Sequence, residues 1–272
     1  METSSLAIFD NPVWNALLSG NSNLAAGNDL VKYFPADVAP FVGLKAIDKT
    51  CFDALADLIP AKRVIALVRT GEIQIPGQWK IILHTPLYQM IAQDTAAHQA
   101  AAAPQSITPS AATPQPADHS NSAAARVAPQ PATTHTHATT LRPHSHNIVP
   151  LYTQHIPQML SLTKLTNPGP FYNRTIEFGN YHGIFEGDQL VAMAGQRMHL
   201  GNYIEVSAVC THPDHLGHGY ATALILHLVQ LIRAQSAIPF LHVRTDNAGA
   251  IKLYKTLGFT IHQEVIINII TR

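Results

Sequence analysis

Cysteine is nearly absent from this 272-residue chain, which carries only Cys51 and Cys210, far apart in sequence. Such usage argues against a disulfide framework, and Cys210, set in an apolar run, reads as a small strand residue rather than a nucleophile. An excess of either charge is missing as well, because seventeen Lys and Arg balance seventeen Asp and Glu. That balance calls for no nucleic acid and no anionic membrane as partner. No window approaches the roughly 20 uncharged apolar residues of a membrane span. The N-terminus, with Glu2 and Asp10 and no basic lead-in, lacks the pattern of a secretion signal. The expectation is a soluble cytoplasmic protein. Apolar residues, by contrast, are plentiful at 46%, enough for one or two cores at roughly 100–200 residues per domain.

Composition divides the chain into three. Residues 1–94 read as globular, with helices over Pro12–Leu18 and Ala54–Ile59, strands over Val64–Val68 and Lys80–Leu83, and a closing helix over Pro86–Ile91. From 95 to 147 Ala, Pro, Thr, Gln, Ser and His dominate, and such a stretch buries too little apolar surface to offset chain entropy. It is expected to be a disordered linker. Its His135-Thr-His137 and His144-Ser-His146 pairs admit a metal-binding tract, but no Cys or acidic residue completes a site, and a polar spacer with incidental histidines is the favoured reading. Residues 148–272 regain order: a strand at Ile148–Tyr152, a helix at His155–Leu162, a firm turn at Asn167-Pro-Gly-Pro170, and a hairpin of Tyr181–Phe185 with Gln189–Met198 joined through Glu186-Gly-Asp188.

The stretch from Tyr203 to Phe259 organises the rest. A strand over Tyr203–Thr211 runs through Val209, Cys210 and Thr211 into His215-Leu216-Gly217-His218-Gly219-Tyr220-Ala221, and a helix opens at Tyr220. Gly217 and Gly219 leave backbone N–H groups open to a ligand, and the helix directs its positive end to the same place, so a diphosphate would fit. Capping and packing alone would also account for a Gly-x-Gly turn. A buried strand, Phe240–Arg244, follows by a right-handed crossover and lies parallel to the first. A helix then starts at Asn247 and places Ala250, Ile251, Leu253, Tyr254 and Leu257 at helical spacing up to Gly258. The fold class is therefore α/β (α+β), with a mixed, mostly antiparallel sheet flanked by helices and a smaller N-terminal unit.

The segments His215-Leu-Gly-His-Gly-Tyr-Ala221 and Asn247…Ala250…Leu253-Tyr254…Gly258-Phe259 resemble the GCN5-related N-acetyltransferase (GNAT) superfamily, most closely its FR47-like branch, over about residues 148–272. Asn11–Leu17 and Pro35–Pro40 resemble the region that accompanies the catalytic half in FR47-like proteins, which implies a degenerate companion domain over 1–94; an independent binding module is the alternative. The resemblance implies acetyl-coenzyme A as acyl donor, direct transfer to a primary amine of a small molecule or peptide, and no metal. A homodimer is compatible with it. It implies cofactor contacts from Val209, Cys210, Thr211, Leu216, Gly217, His218, Gly219, Tyr220, Ala221 and Asn247, with the thioester between Val209–Thr211 and Phe240–Val243, where the family's parallel strands splay. Tyr254 matches the usual general acid, though a plain core Tyr or, for Asn247, a helix N-cap, explains the same residues. Phe171 and Arg174 match acceptor-side positions, against readings as packing and a solvated charge.

Glu205 matches the glutamate that deprotonates lysine in histone-acetylating members. By strand alternation it shares a face with Thr211, six residues on. A surface glutamate at a strand start is the plainer alternative. The chain departs from the family pattern twice: Leu216 stands where Gln or Arg begins the loop motif, and Thr260–Thr271 lacks a Gly or Pro turn, so the family's last hairpin is expected as one long strand or a bend near Asn268. A non-catalytic acyl-coenzyme A-binding or partner-binding protein on the same fold is the alternative function.

Overall fold

The computed structural model describes residues 6–93 and 146–272, so residues 95–145 of the expected linker, with His135, His137 and His144, lie outside the described residues. A 3-10 turn, Leu6–Asp10, leads into helix α1 (Pro12–Leu18), whose first turn accepts Pro12 because an N–H there would have no helical partner. Strands β1 (Ala26–Gly27), β2 (Val31–Tyr33) and β3 (Val42–Leu44) form a small antiparallel sheet. Helix α2 (Lys49–Leu58) is capped by Asp48, whose carboxylate accepts from the Cys51 N–H at 2.8 Å. Next come β4 (Ile65–Arg69) and β5 (Lys80–Ala92). The second half supplies β6 (Ile148–Pro150), α3 (Ile156–Thr166), β7 (His182–Glu186), β8 (Gln189–Leu200), β9 (Tyr203–Thr211), α4 (Tyr220–Ala234), β10 (Ile238–Arg244), α5 (Ala248–Thr256) and β11 (Phe259–Thr271).

Strands β4 to β11 build one eight-stranded sheet in the order β4-β11-β5-β10-β9-β8-β7-β6. Within it β9 and β10 run parallel and the other neighbours antiparallel, which is the mixed, mostly antiparallel arrangement expected. The β7–β8 hairpin turns at Gly187, whose φ of +58° suits a residue without a Cβ.

The two sheet faces bury different partners. One packs Phe9, Val13 and Leu17 of the N-terminal segment together with Met159 and Leu162 of α3 against Met193, Tyr203, Cys210 and Phe240. The other packs Leu224, Leu228 and Ile232 of α4 against Val191, Ile204 and Val206, while Ile225 and Val229 of the same helix meet Leu241, Val243 and Phe259. Burying each such aliphatic or aromatic side chain stabilises the fold by about 1.5–3 kcal/mol.

One expectation changes, and the sheet itself bears on two others. Pro86–Ile91 is strand, not helix: Leu87–Ile91 pair with β10 on one side and β11 on the other, and that two-sided ladder outweighs local preference. Pro86, which has no N–H to give, stands just beyond the last β10 pair, Arg244↔Leu87. The C-terminal run is a single strand, with register shifts between Ile261 and Gln263 and between Ile269 and Ile270. Its hairpin partner is β5, a strand from the N-terminal segment. The main sheet thus crosses the expected boundary between residues 1–94 and 148–272, and the N-terminal segment adds its own core of Phe52, Leu55, Ile65, Leu67 and Trp79 beside Ile270 of β11.

Candidate active site

Strands β9 and β10 share three registered pairs, Ile238↔Tyr203, Pro239↔Ile204 and Phe240↔Glu205. Beyond them the two part company. Leu241–Arg244 pair with β5, and Ser207, Cys210 and Thr211 pair with β8. A cleft therefore opens between Val209–Thr211 and the end of β10, where the resemblance implies the thioester to lie.

A β-bulge shapes its wall. Met193 pairs with Cys210 but Gly195 with Ser207, so β9 carries one extra residue, and Ala208 adopts φ +52°. The extra residue reverses the alternation. Tyr203 belongs to the core under α3 and Ile204 and Val206 to the core under α4, yet past the bulge Ala208 and Cys210 face α3, and Val209 faces α4 and α5. The expected shared face of Glu205 and Thr211 is thereby corrected: Glu205 points to the side that Cys210 occupies, and Thr211 follows Val209. Burial pushes the Cys210 thiol up to about 11, against a contact with Thr166, which suits a packed thiol and not a nucleophile.

The loop after β9 makes a 3-10 turn at Pro213–His215 and enters α4 through Gly217 and Gly219, at φ +82° and +79°. A Cβ on Gly217 would meet nothing within 4 Å, so backbone conformation, not crowding, is what glycine answers here. Among the described residues the N–H groups of Gly217, His218, Gly219, Tyr220 and Ala221 donate to no other group, and Gly219 caps α4 with no side chain. Five open donors at the positive end of a 15-residue helix form a donor set suited to a diphosphate. Leu216 lies 64% exposed at the loop's edge. Tyr220 is the loop's rigid wall: His218 stacks on its ring at 5.4 Å, His146 meets it edge-on at 4.8 Å, and its hydroxyl donates to Glu186.

Tyr254 stands on the second turn of α5, half-buried against the core of Leu241, Val243 and Phe259 that also receives Val209. Burial pushes its phenol up to about 12, so the proton stays on the oxygen throughout the neutral range. Asn247 caps α5, its Oδ1 accepting from the Ala250 N–H at 3.1 Å.

Glu205 is fully buried, with Arg197 and His242 as partners. Burial by itself would raise its pKa, but Arg197 and His242 outweigh that and hold the carboxyl far below the ordinary range. Such a group is the reverse of a base poised near neutrality. Arg197 and His242 went unmarked in the sequence reading; the available signal was a lone arginine inside an apolar strand, which requires a buried counter-charge. The acceptor-side residues have partners of their own. Phe171 packs edge-on against Tyr181 at 5.6 Å, and Arg174 binds Glu177 at 2.6 and 2.8 Å and Asp37 at 3.3 Å. The Thr175 hydroxyl donates to the Val38 carbonyl at 2.7 Å, so this turn is tied to the N-terminal segment.

Comparison with known proteins bears on this arrangement. Residues 181–266 match the family described as FR47-like protein. A protein of Novosphingobium aromaticivorans, described as an acetyltransferase of the GNAT family, superposes with a TM-score of 0.73 at 27% identity, covering 97% of each chain. A Drosophila protein shares the fold at a TM-score of 0.53 and 14% identity, over 88% of this chain and 73% of its own. No curated protein matches the chain. An FR47-like segment thus spans the loop, the cleft and α5, and the chain is similar end to end to a structure described as a GNAT-family acetyltransferase, which supports the GNAT superfamily and its FR47-like branch.

Proposed function

We propose that this protein is an acetyl-coenzyme A-dependent N-acetyltransferase that transfers the acetyl group directly to a primary amine of a small molecule or peptide. One observation carries the reading: five undonated backbone N–H groups at the start of α4 border the cleft where β9 and β10 separate. Acetyl-coenzyme A would bring a diphosphate, an amide-rich arm and an already activated thioester. The N–H groups of Gly217–Ala221 would hold the phosphates. The exposed side of Val209–Thr211 would pair with the arm as an added strand. The Tyr254 Oη keeps its proton at neutral pH, and from the core that also receives Val209 it would release that proton to a departing thiolate. Proton movement is the chemistry required at an activated thioester, so no metal is invoked.

Two observations favour the non-catalytic reading: Leu216 offers no polar group to the loop, and Glu205 is committed to Arg197 and His242. The test is to titrate acetyl-coenzyme A into the protein by calorimetry and then follow free thiol over a panel of amines. Binding with turnover on at least one amine supports the enzyme. Binding with none supports a carrier or binding module, and absence of binding removes both.

A further inference from the structure

The last registered pair of β9 and β10 is Phe240↔Glu205, and a row of polar side chains crosses the sheet at that level. Arg197 of β8 donates twice to Glu205, Nε to Oε2 at 2.9 Å and Nη2 to Oε1 at 2.5 Å. The Met198 N–H adds a bond to Oε2 at 3.2 Å, and His242 Nδ1 lies 2.7 Å from Oε1. Each carboxylate oxygen thus has two donors, which fills the lone-pair sites a carboxylate offers. No site is left to take a proton from an amine.

The row continues past β10. His242 Nε2 lies 3.0 Å from Gln89 Nε2 on β5, and Gln89 Oε1 accepts from Gln263 Nε2 on β11 at 2.9 Å. Gln89 Nε2 also donates to the Phe9 carbonyl at 3.2 Å, which fixes it as the nitrogen end of the amide. His242 Nε2 is therefore an acceptor, and its Nδ1–H faces Glu205. Phe41 lies under the Arg197 guanidinium at 4.9 Å, Phe9 and Phe240 pack edge to face at 5.1 Å, and Phe240 meets the His242 ring edge-on at 5.6 Å.

His242 stands two residues beyond the last β9–β10 pair, already on the diverging part of β10. Its bond to Glu205 spans the vertex of the cleft. We infer that the Arg197–Glu205–His242–Gln89 row is a clasp that fixes how far β9 and β10 separate, making Glu205 and His242 positioning residues for the coenzyme arm. Glu205 is then no proton acceptor in the reaction. The inference rests on the proposal that the cleft takes the coenzyme A arm.

The test uses the full-length protein with coenzyme A as the probe, and compares wild type, His242→Ala and His242→Asn. An asparagine amide can replace the Nδ1–H donor, and alanine cannot. His242→Ala should weaken coenzyme A binding about tenfold, corresponding to about 1.4 kcal/mol, and His242→Asn should recover most of the loss. A side chain that served stability alone would shift the melting temperature and leave the affinity untouched. Hydrogen exchange in the absence of ligand gives a second readout: amides of residues 207–211 and 241–244 should exchange faster in His242→Ala than in wild type. Unchanged affinity in a folded His242→Ala variant overturns the clasp. If wild type binds no coenzyme A, the cofactor reading falls while faster exchange still upholds the clasp as the device holding the strands, and unchanged exchange removes it too. Glu205→Gln adds the contrast with a base: a thiol-release rate that keeps its wild-type pH profile supports the clasp, and loss of the acidic limb at unchanged affinity overturns it.

Discussion

At the scale of single residues, what decides each role is whether its polar atoms are already committed. Tyr254 Oη makes no hydrogen bond among the described residues and holds its proton to about 12, so it is available to give one. Replacing it by Phe keeps the ring packing and removes the proton. Turnover should fall on the order of a hundredfold, the usual contribution of a general acid, while calorimetry shows the same affinity for acetyl-coenzyme A. An unaltered rate would remove Tyr254 from the chemistry.

Glu205 is the opposite case and is legible through acid stability. Its folded pKa lies below the unfolded value, so the stabilisation it brings is complete above the unfolded carboxylate range of about 4.3 and is lost as pH falls below it. His199, His227 and His262 act in a higher window. Burial lowers the pKa of each, with no partner on Nε2 among the described residues, so the unfolded chain takes up their protons first. Stability should therefore decline as pH drops through about 6.5, where unfolded histidines titrate. Urea midpoints at pH 8, 7, 6 and 5 should drop in the last two steps, and a further drop below pH 4 should be blunted in Glu205→Gln. A midpoint flat from pH 8 to 5 would contradict the histidine assignment.

At the scale of elements, the loop before α4 was readable because its signals are local: two glycines, both found at positive φ, directly before a helical pattern. The hairpin turn at Gly187 and the Asn247 cap were readable for the same reason. The bulge at Ala208 was not. Alternation counts residues and cannot see an extra one, and alanine carries no preference for the left-handed region that would announce it. That is why the face of Glu205 was misjudged although its place in the strand was right. The loop also shows what it lacks. Leu216 is exposed at its edge and no Lys or Arg lies between Arg197 and Arg233, so within this stretch the proposed anion site would have backbone donors and imidazoles to draw on. Leu216→Arg should tighten coenzyme A binding by roughly three- to tenfold at low salt, about one charge-assisted hydrogen bond. The gain should shrink as salt rises to 0.5 M. Equal affinities for the two proteins at low salt would mean that the phosphates do not lie at this edge.

At the scale of the whole molecule, the sheet joins segments that composition sets apart. Pro86–Ile91 looks helical in isolation because nothing local announces a strand that fills a slot between two partners far along the chain. In the folded chain β5 is that filler, and β10 and β11 meet only through it. The clasp draws on the same segment, through Gln89 and the Phe9 carbonyl. Residues 148–272 on their own would keep every residue of the loop, the cleft and α5, yet would leave the facing edges of β10, over Phe240–Arg244, and β11, over Phe259–Thr271, unpaired. Open apolar edges of that length favour aggregation over a native sheet. The fragment 148–272 should therefore show no cooperative melt and bind no coenzyme A, while co-expression with residues 1–94 as a separate chain should restore a soluble complex with a single transition. Cooperative folding and wild-type coenzyme A affinity in the isolated fragment would show that the catalytic half closes its own sheet, and would make the N-terminal strand dispensable.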